Sequence, residues 1–298
     1  MKGFLRRIFR NKKQAESARV VVPVTNDQFD LDCERGYDES YEVSMMEACG
    51  DNLFPGLQDC FDAWGDFFLS EFNVIKTYEY DRRNKRVTFE LAKKPEDLRV
   101  LRLTLDQMIQ YQEVRIFESV ALAIYDRSDW DWERRWDIQD IRGHQFRAAA
   151  SGVHFGVVDL PKPELDQYGE YRHVEPDDPH RSTPEGFESI SEQLKPFSLF
   201  DYHVLMHFAV DFNAQRLTIE LAKSADDPVW IRLILSNAKH SGSIWADHRH
   251  GFVLHERRKQ GWEIPWELSQ PEDWGFSVSC DAVRFEIVES PPIYEPTP

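Results

Sequence analysis

The chain has 298 residues, of which 41% are apolar, 30% charged and 13% aromatic, and its formal net charge is −17. This is the composition of a folded globular protein with room for about two domains, not of a disordered chain. No apolar run approaches the ~18 residues a membrane-spanning helix needs, and the acidic balance repels nucleic acid at long range while favouring basic partners.

Residues 1–20 form a basic amphipathic tail. Lys2, Arg6, Arg7, Arg10, Lys12, Lys13 and Arg19 stand against Glu16 alone, so residues 1–19 carry +6 and the remainder −23. Phe4, Leu5, Ile8 and Phe9 share one helical face and are the candidate contacts for an anionic membrane surface. A frayed tail, or one resting on the chain's own acidic surface, is the simpler reading. There is no continuous apolar stretch with a small-residue cleavage site, so no secretory signal is expected.

Residues 21–65 form an acidic segment with eleven acids and one base, Arg35. Asp38 and Glu39 are candidate partner-binding residues here. Ser44 to Cys49 predicts a short helix and Phe54-Pro55-Gly56 a turn. A first module follows at 66–161, an acidic proline-rich linker at 162–195, and a second module at 196–298. The linker holds Glu175, Asp177 and Asp178, three further candidates for a basic partner, and is expected to be exposed and partly extended.

The two modules match at a constant offset of 130 residues. Val87-Thr-Phe-Glu-Leu-Ala-Lys93 returns as Leu217-Thr-Ile-Glu-Leu-Ala-Lys223, and Arg102, Leu103 and Leu105 return as Arg232, Leu233 and Leu235. Trp132-Glu133 and Trp136 return as Trp262-Glu263 and Trp266, and Phe146, Val153 and Phe155 as Phe276, Val283 and Phe285. A single ungapped register points to a tandem duplication, read either as two separate domains or as two halves of one pseudo-symmetric unit.

Within each module the apolar period is two, the signature of half-buried strands. Strands are predicted at Phe72–Tyr80, around Val87–Leu91 and around Leu101–Leu105, then at Val114–Tyr125 and His144–Asp159, with counterparts that include Tyr202–Val210, Gly251–Glu256 and Gly275–Glu289. The turn at Asp81-Arg-Arg-Asn84 and its counterpart at Asp211-Phe-Asn-Ala214 make the first three strands a meander. The fold expected is mainly β, α+β at the N-terminus, with two tandem antiparallel sandwich or partly open barrel modules.

Four constellations bear on function. Glu90 and Arg102, and likewise Glu220 and Arg232, fall opposite one another on neighbouring strands; they read as cross-strand ion pairs that set register. Trp132 and Trp136, with Trp262 and Trp266, have one parity; such a stripe stacks on a ligand if exposed and covers a core if buried. Asp247-His248-Arg249-His250 with His255 has the look of a metal cluster, but the other module carries Phe117, Glu118 and Val120 in the matching places, so a solvated loop or strand is the reading and no metal or cofactor is expected. Cys33, Cys49, Cys60 and Cys280 form no C-x-x-C pair, which fits a reducing cytoplasm. No phosphate loop, nucleophile elbow or paired general acid and base is present, so no catalytic residues are expected.

Val74, Asp81, Arg86-Val-Thr-x-Glu-Leu91 and Arg102-Leu-x-Leu105, with their counterparts from Val204 to Leu235, resemble small β-rich bacterial domains of immunity-protein-like families associated with polymorphic toxin systems. The resemblance covers the opening meander of each module and its final strand. Members often carry His-Asp at the start of the first strand; this chain has Glu71-Phe72-Asn73 and Asp201-Tyr202-His203 there, so that feature is absent or scrambled. The resemblance implies a stoichiometric binding protein without catalytic residues. The function expected is therefore a cytoplasmic, non-enzymatic inhibitor that binds a basic protein through residues 21–65, the linker or the groove between modules. A carbohydrate- or ligand-binding protein using the Trp stripes, and a peripheral membrane protein, are the alternatives.

Overall fold

The computed structural model of the chain describes residues 54–108, 113–115, 119–126, 135–142, 146–162, 183–241, 243–245, 251–257, 264–270 and 276–289. These belong to one compact unit. The alternating sequences form strands as expected: β1 (Val74–Asp81), β2 (Arg86–Ala92) and β3 (Arg99–Asp106) make the first meander. After β4 (Glu113–Arg115) come β5 (Leu122–Asp126), β6 (Trp136–Asp140), β7 (Arg147–Ala150) and β8 (Gly152–Asp159). The second half repeats the order with β9 (Val204–Asp211), β10 (Arg216–Ala222), β11 (Val229–Ser236), β12 (Lys239–Ser241), β13 (Ser243–Trp245), β14 (Val253–Glu256), β15 (Trp266–Ser269), β16 (Ser277–Cys280) and β17 (Ala282–Glu289).

The halves do not stand apart. One antiparallel sheet of eight strands runs through both, in the order β17-β11-β10-β9-β1-β2-β3-β8. It is continuous because β1 pairs with β9, placing Thr77 opposite Asp211, Glu79 opposite Ala209 and Asp81 opposite His207. Glu79 and Ala209 are 130 positions apart, so the residues facing each other at the centre are equivalents. The same holds at a second contact, where β4 pairs with β13 and Val114 faces Ile244, again 130 apart. A local two-fold axis therefore passes through both contacts, the self-complementary geometry of an isologous dimer built within one chain. Among the described residues the two modules meet at a seam of paired strands.

One face of the large sheet, the inner one, is apolar. Val87, Phe89, Leu91, Leu101, Leu103 and Leu105 are fully buried there, as are Leu217, Ile219, Leu221, Ile231, Leu233 and Leu235. Each such side chain contributes about 1.5–3 kcal/mol by leaving water. The cover is one small sheet per half, β5-β6-β7 in the first and β12-β16-β15-β14 in the second. Their Ile138, Phe146, Leu268, Phe276 and Val278 join the same core, with the Phe146 ring 5.0 Å from that of Phe89. The architecture is thus layered antiparallel sheets and not closed barrels.

Three expectations need correcting. The final strand of each module is two strands in two sheets: the chain bends at Ser151 and Asp281, whose amides donate to the Asp106 and Ser236 carbonyls, and β7 and β16 enter the small sheets while β8 and β17 enter the large one. Val114–Tyr125 is likewise broken, into β4 and β5. The 162–195 segment is not all exposed linker. Residues 187–193 form a helix, α2 (Phe187–Gln193), which buries Ile190 and brings Phe187 to 5.6 Å from Phe285. Its first-half equivalent is α1 (Leu57–Trp64), which buries Leu57 and Cys60. The two helices and their turns thus precede the expected module starts at 66 and 196 at equivalent places.

Those turns require glycine. Gly56 and Gly186 have φ of +79° and +75°, and a Cβ there would fall 1.9 Å from the Phe155 carbonyl oxygen and 2.2 Å from that of Phe285. The close approach lets the Pro55 and Glu185 carbonyls accept from the Phe155 and Phe285 amides at 2.8 Å. Both outer strands of the large sheet thus have part of their open edge satisfied.

Candidate functional site

The outer face of the large sheet carries one buried apolar cluster, Val204, Met206, Ala222 and Trp230, and is otherwise mostly polar, the polar part crossing the seam. Two ion-pair ladders run along it. In the first half Arg102 donates to Glu90 at 2.5 Å, and Glu90 also accepts from the Thr77 hydroxyl at 2.8 Å. In the second, Arg232 donates to Glu220 at 2.7 Å and to Glu286 at 3.1 Å, and Arg284 reaches Glu286 at 2.9 Å. The strand register puts Glu90 opposite Arg102 and Glu220 opposite Arg232. Both glutamates are buried, so these arginines satisfy carboxylates that would otherwise be costly inside the protein.

The seam is the acidic part of this face. Its two central strands present Glu79, Asp81 and Asp211 outward, with His207 among them. Asp81 and Asp211 each accept the backbone amide three residues on, from Asn84 at 3.0 Å and Ala214 at 2.9 Å, which shapes the two tight turns. Glu79 keeps 51% of its side chain exposed while its Oε1 lies 3.0 Å from His207 Nε2. Asp81 on β1 and Glu220 on β10 flank His207 from either side. Burial opposes protonation of this imidazole, but the hydrogen bond to Glu79 and the charges of Glu220, Glu79 and Asp81 outweigh it, so its pKa lies above the ordinary value. The His207 hydrogen bond holds the Glu79 carboxyl below the usual range. Thr77 occupies the equivalent place in the first half and donates its hydroxyl to the Glu90 carboxylate instead. His203, just ahead of β9, has its Nδ1 3.0 Å from the Asp201 carbonyl oxygen.

Trp136 and Trp266 belong to the core, at 7% and 6% exposure. The Trp136 ring is 4.7 Å from that of Phe54, and the Arg135 guanidinium covers it at 4.4 Å. Neither indole offers a free face to a sugar, so a stripe built on these two is corrected to core packing. Asp137 and Glu267, the residues that follow them, hold buried polar networks in the small sheets: Asp137 with Arg147 at 3.3 Å, Glu267 with Ser277 at 2.7 Å and with Arg257.

Asp38, Glu39, Glu175, Asp177, Asp178, Trp132, Trp262, Phe4, Leu5, Ile8, Phe9, His248 and His250 lie outside the described residues, as does the expected helix at Ser44–Cys49. Among the described residues no three His, Cys, Asp or Glu side chains stand together as metal ligands, and no helix is long and apolar enough to cross a membrane. Cys60 and Cys280 are buried; burial pushes the Cys60 thiol up to about 12 and the Cys280 thiol up as well, which keeps both protonated and unreactive at neutral pH. Sequence reasoning missed the seam cluster. Its signal was present in the strict offset: pairing the first strand with its own repeat sets Glu79, Asp81 and His207 side by side. Comparison with known proteins finds no match among family models, curated proteins or solved structures.

Proposed function

We propose that the protein is a non-enzymatic, cytoplasmic binding protein that captures a basic protein partner on the outer face of its large sheet, along the seam. The observation that carries this reading is the outward row of Glu79, Asp81 and Asp211 on the two central strands, set in a chain of net charge −17. A charge row of this kind steers a basic partner and fixes its orientation. The flanking ladders hold Glu90 and Glu220 in place but leave the seam acids without an arginine on their own strands. The resemblance to immunity-protein-like domains extends the reading to an inhibitor that binds a basic enzyme stoichiometrically.

The test is recovery of partners from native lysate by the full chain at low and at high salt, beside a variant combining Glu79→Gln, Asp81→Asn and Asp211→Asn. The amides preserve the two turns while removing the charge. A partner held at low salt, released at high salt and lost by the folded variant supports the seam. Salt-insensitive binding, or full retention by the variant, overturns it.

A further inference from the structure

The two halves fill their cores differently at one place. Where β9, β10 and the chain leading into β12 meet, the second half leaves a recess of about 240 Å³ lined by Val210, Phe212, Leu217 and Ala238, with Asp211, Gln215, Arg216 and Lys239 around it. At the equivalent positions the first half has larger side chains, Tyr80 for Val210 and Met108 for Ala238, and both are buried. The backbone is the same in the two halves: Met108 N donates to Lys85 O at 2.9 Å and Ala238 N to Gln215 O at 3.0 Å. Lys85 and Gln215 share the same left-handed conformation, with φ of 48° and 47°. At these two positions the second half carries smaller side chains on the same backbone, while Phe212 stands where the first half has Arg82. An alanine and a valine stand where a thioether and a phenol ring complete the other half.

The rim differs in charge as well. In the first half Arg86 is held by Asp106 at 2.6 Å. Ser236 replaces that aspartate in the second, and the ion pair of Arg216 is a long one, 3.9 Å to Asp211. Lys239 is exposed beside it. A mixed lining, with Val210, Phe212 and Ala238 as its apolar part and Arg216 and Lys239 outnumbering Asp211 at its mouth, matches a small molecule or side chain having a short apolar body and one negative charge.

We infer that this recess is a binding site for a compact apolar group bearing a carboxylate, of the size of a methionine side chain. The apolar part of the lining takes the apolar body in place of the missing Met108 counterpart, and Arg216, assisted by Lys239, takes the carboxylate. The site lies at the end of β9 and shares Asp211 with the seam row, so it is probed in the chain with Asp211 intact, where Arg216→Gln and Ala238→Met leave Glu79, Asp81 and Asp211 unchanged.

The probe is N-acetylmethionine, with neutral N-acetylmethioninamide as control, titrated into the full chain and followed by NMR. A ligand of this size in a preformed recess binds with a Kd on the order of a millimolar. The expected result is saturable shifts at Val210, Leu217 and Ala238 and binding of the amide about tenfold weaker. Arg216→Gln brings the acid down to the level of the amide. Ala238→Met, which supplies the plug the first half already has, removes binding of both and leaves the chain folded. Should Ala238→Met not fold, Ala238→Val with the wild-type shift map replaces it. Absence of saturable shifts in the wild type, or undiminished binding by the folded plugged variant, overturns the site; equal affinity for acid and amide overturns the carboxylate.

Discussion

Among the described residues the two halves share turns, edge caps and equivalent strands, with β12 additional in the second, but they solve their polar and packing problems with different residues. Asp137 is neutralised by Arg147 from the next strand of its sheet; Glu267, in the equivalent position, has Ser277 there and takes its cation from Arg257. Lys76 is buried at the register shift in β1 and donates to the Pro95 carbonyl and, across the seam, to Asn213; its equivalent is Met206, which packs with Val204, Ala222 and Trp230. Arg83 in turn lies over the Trp230 ring at 5.8 Å. Each half's first turn thus overhangs the outer face of the other, once by a hydrogen bond and once by a cation over a ring. The lesson is that backbone geometry is held in common, while the means of satisfying buried groups is exchanged locally.

The largest expected effect tests what is common. Gly56→Ala and Gly186→Ala both put a Cβ against a carbonyl oxygen at positive φ, so each costs about 2–4 kcal/mol in denaturant unfolding, and the two losses are alike. A loss confined to one glycine breaks the equivalence of the two edge caps.

A middling effect tests what differs. Arg232→Gln strips a partner from both Glu220 and Glu286, while Arg102→Gln strips one from Glu90 only. The former costs about 2 kcal/mol and the latter about 1, after allowing for the half-exposed arginines. Adding Glu286→Gln to Arg232→Gln recovers part of the loss, and a double-mutant cycle reads the coupling. Equal losses from the two arginines contradict the ladder drawn above.

The smallest effect is pH-dependent. The pKa of His207 is raised, so its contribution is fully present below the unfolded value of 6.5 and is lost as pH rises through the higher folded value. Glu79 is lowered from 4.5, so its contribution is present above 4.5 and is lost as pH falls through the lower folded value. The pair therefore stabilises most between these limits. His207→Thr, which installs the first-half residue, destabilises by well under ~1 kcal/mol near pH 5.5 because Glu79 is exposed, and the difference shrinks toward pH 8. A difference that grows with pH removes the pair from the account of the seam.

Much of the sheet was legible in the sequence because alternation reports burial one residue at a time. Val87, Phe89 and Leu91 announced their face, and Glu90 with Arg102 announced the register. The short helices were missed. α1 and α2 span only about two turns, but Leu57, Cys60, Phe61 and Trp64, like Phe187, Ile190 and Leu194, fall at helical spacing, and with Gly56 and Gly186 at the common offset they were the available signal. The breaks at Ser151 and Asp281 did leave a trace: apolar residues fall at Phe146, Ala148 and Ala150 and then at Val153 and Phe155, so parity slips by one at the bend, as it does between Phe276, Val278, Cys280 and Val283, Phe285. Parity could not say which side of the chain met solvent, so Trp136 and Trp266 read equally well as platform or core. The seam cluster depends on which strands are neighbours across 130 residues, and a pattern local to one strand has no information about that.

The meeting of Glu79 with Ala209 has a consequence for what each position is free to become. In an assembly of two identical subunits, whatever residue sits on the axis faces itself, so a carboxylate there would confront a second carboxylate at the closest approach of two strands. With both halves in one chain that constraint is lifted. An acid stands on one side of the axis and a methyl group on the other, and an imidazole is placed on one flank with a threonine on the opposite one. Covalent linkage thus lets a symmetric backbone carry an asymmetric surface, and a partner that binds there meets a site with only one correct orientation.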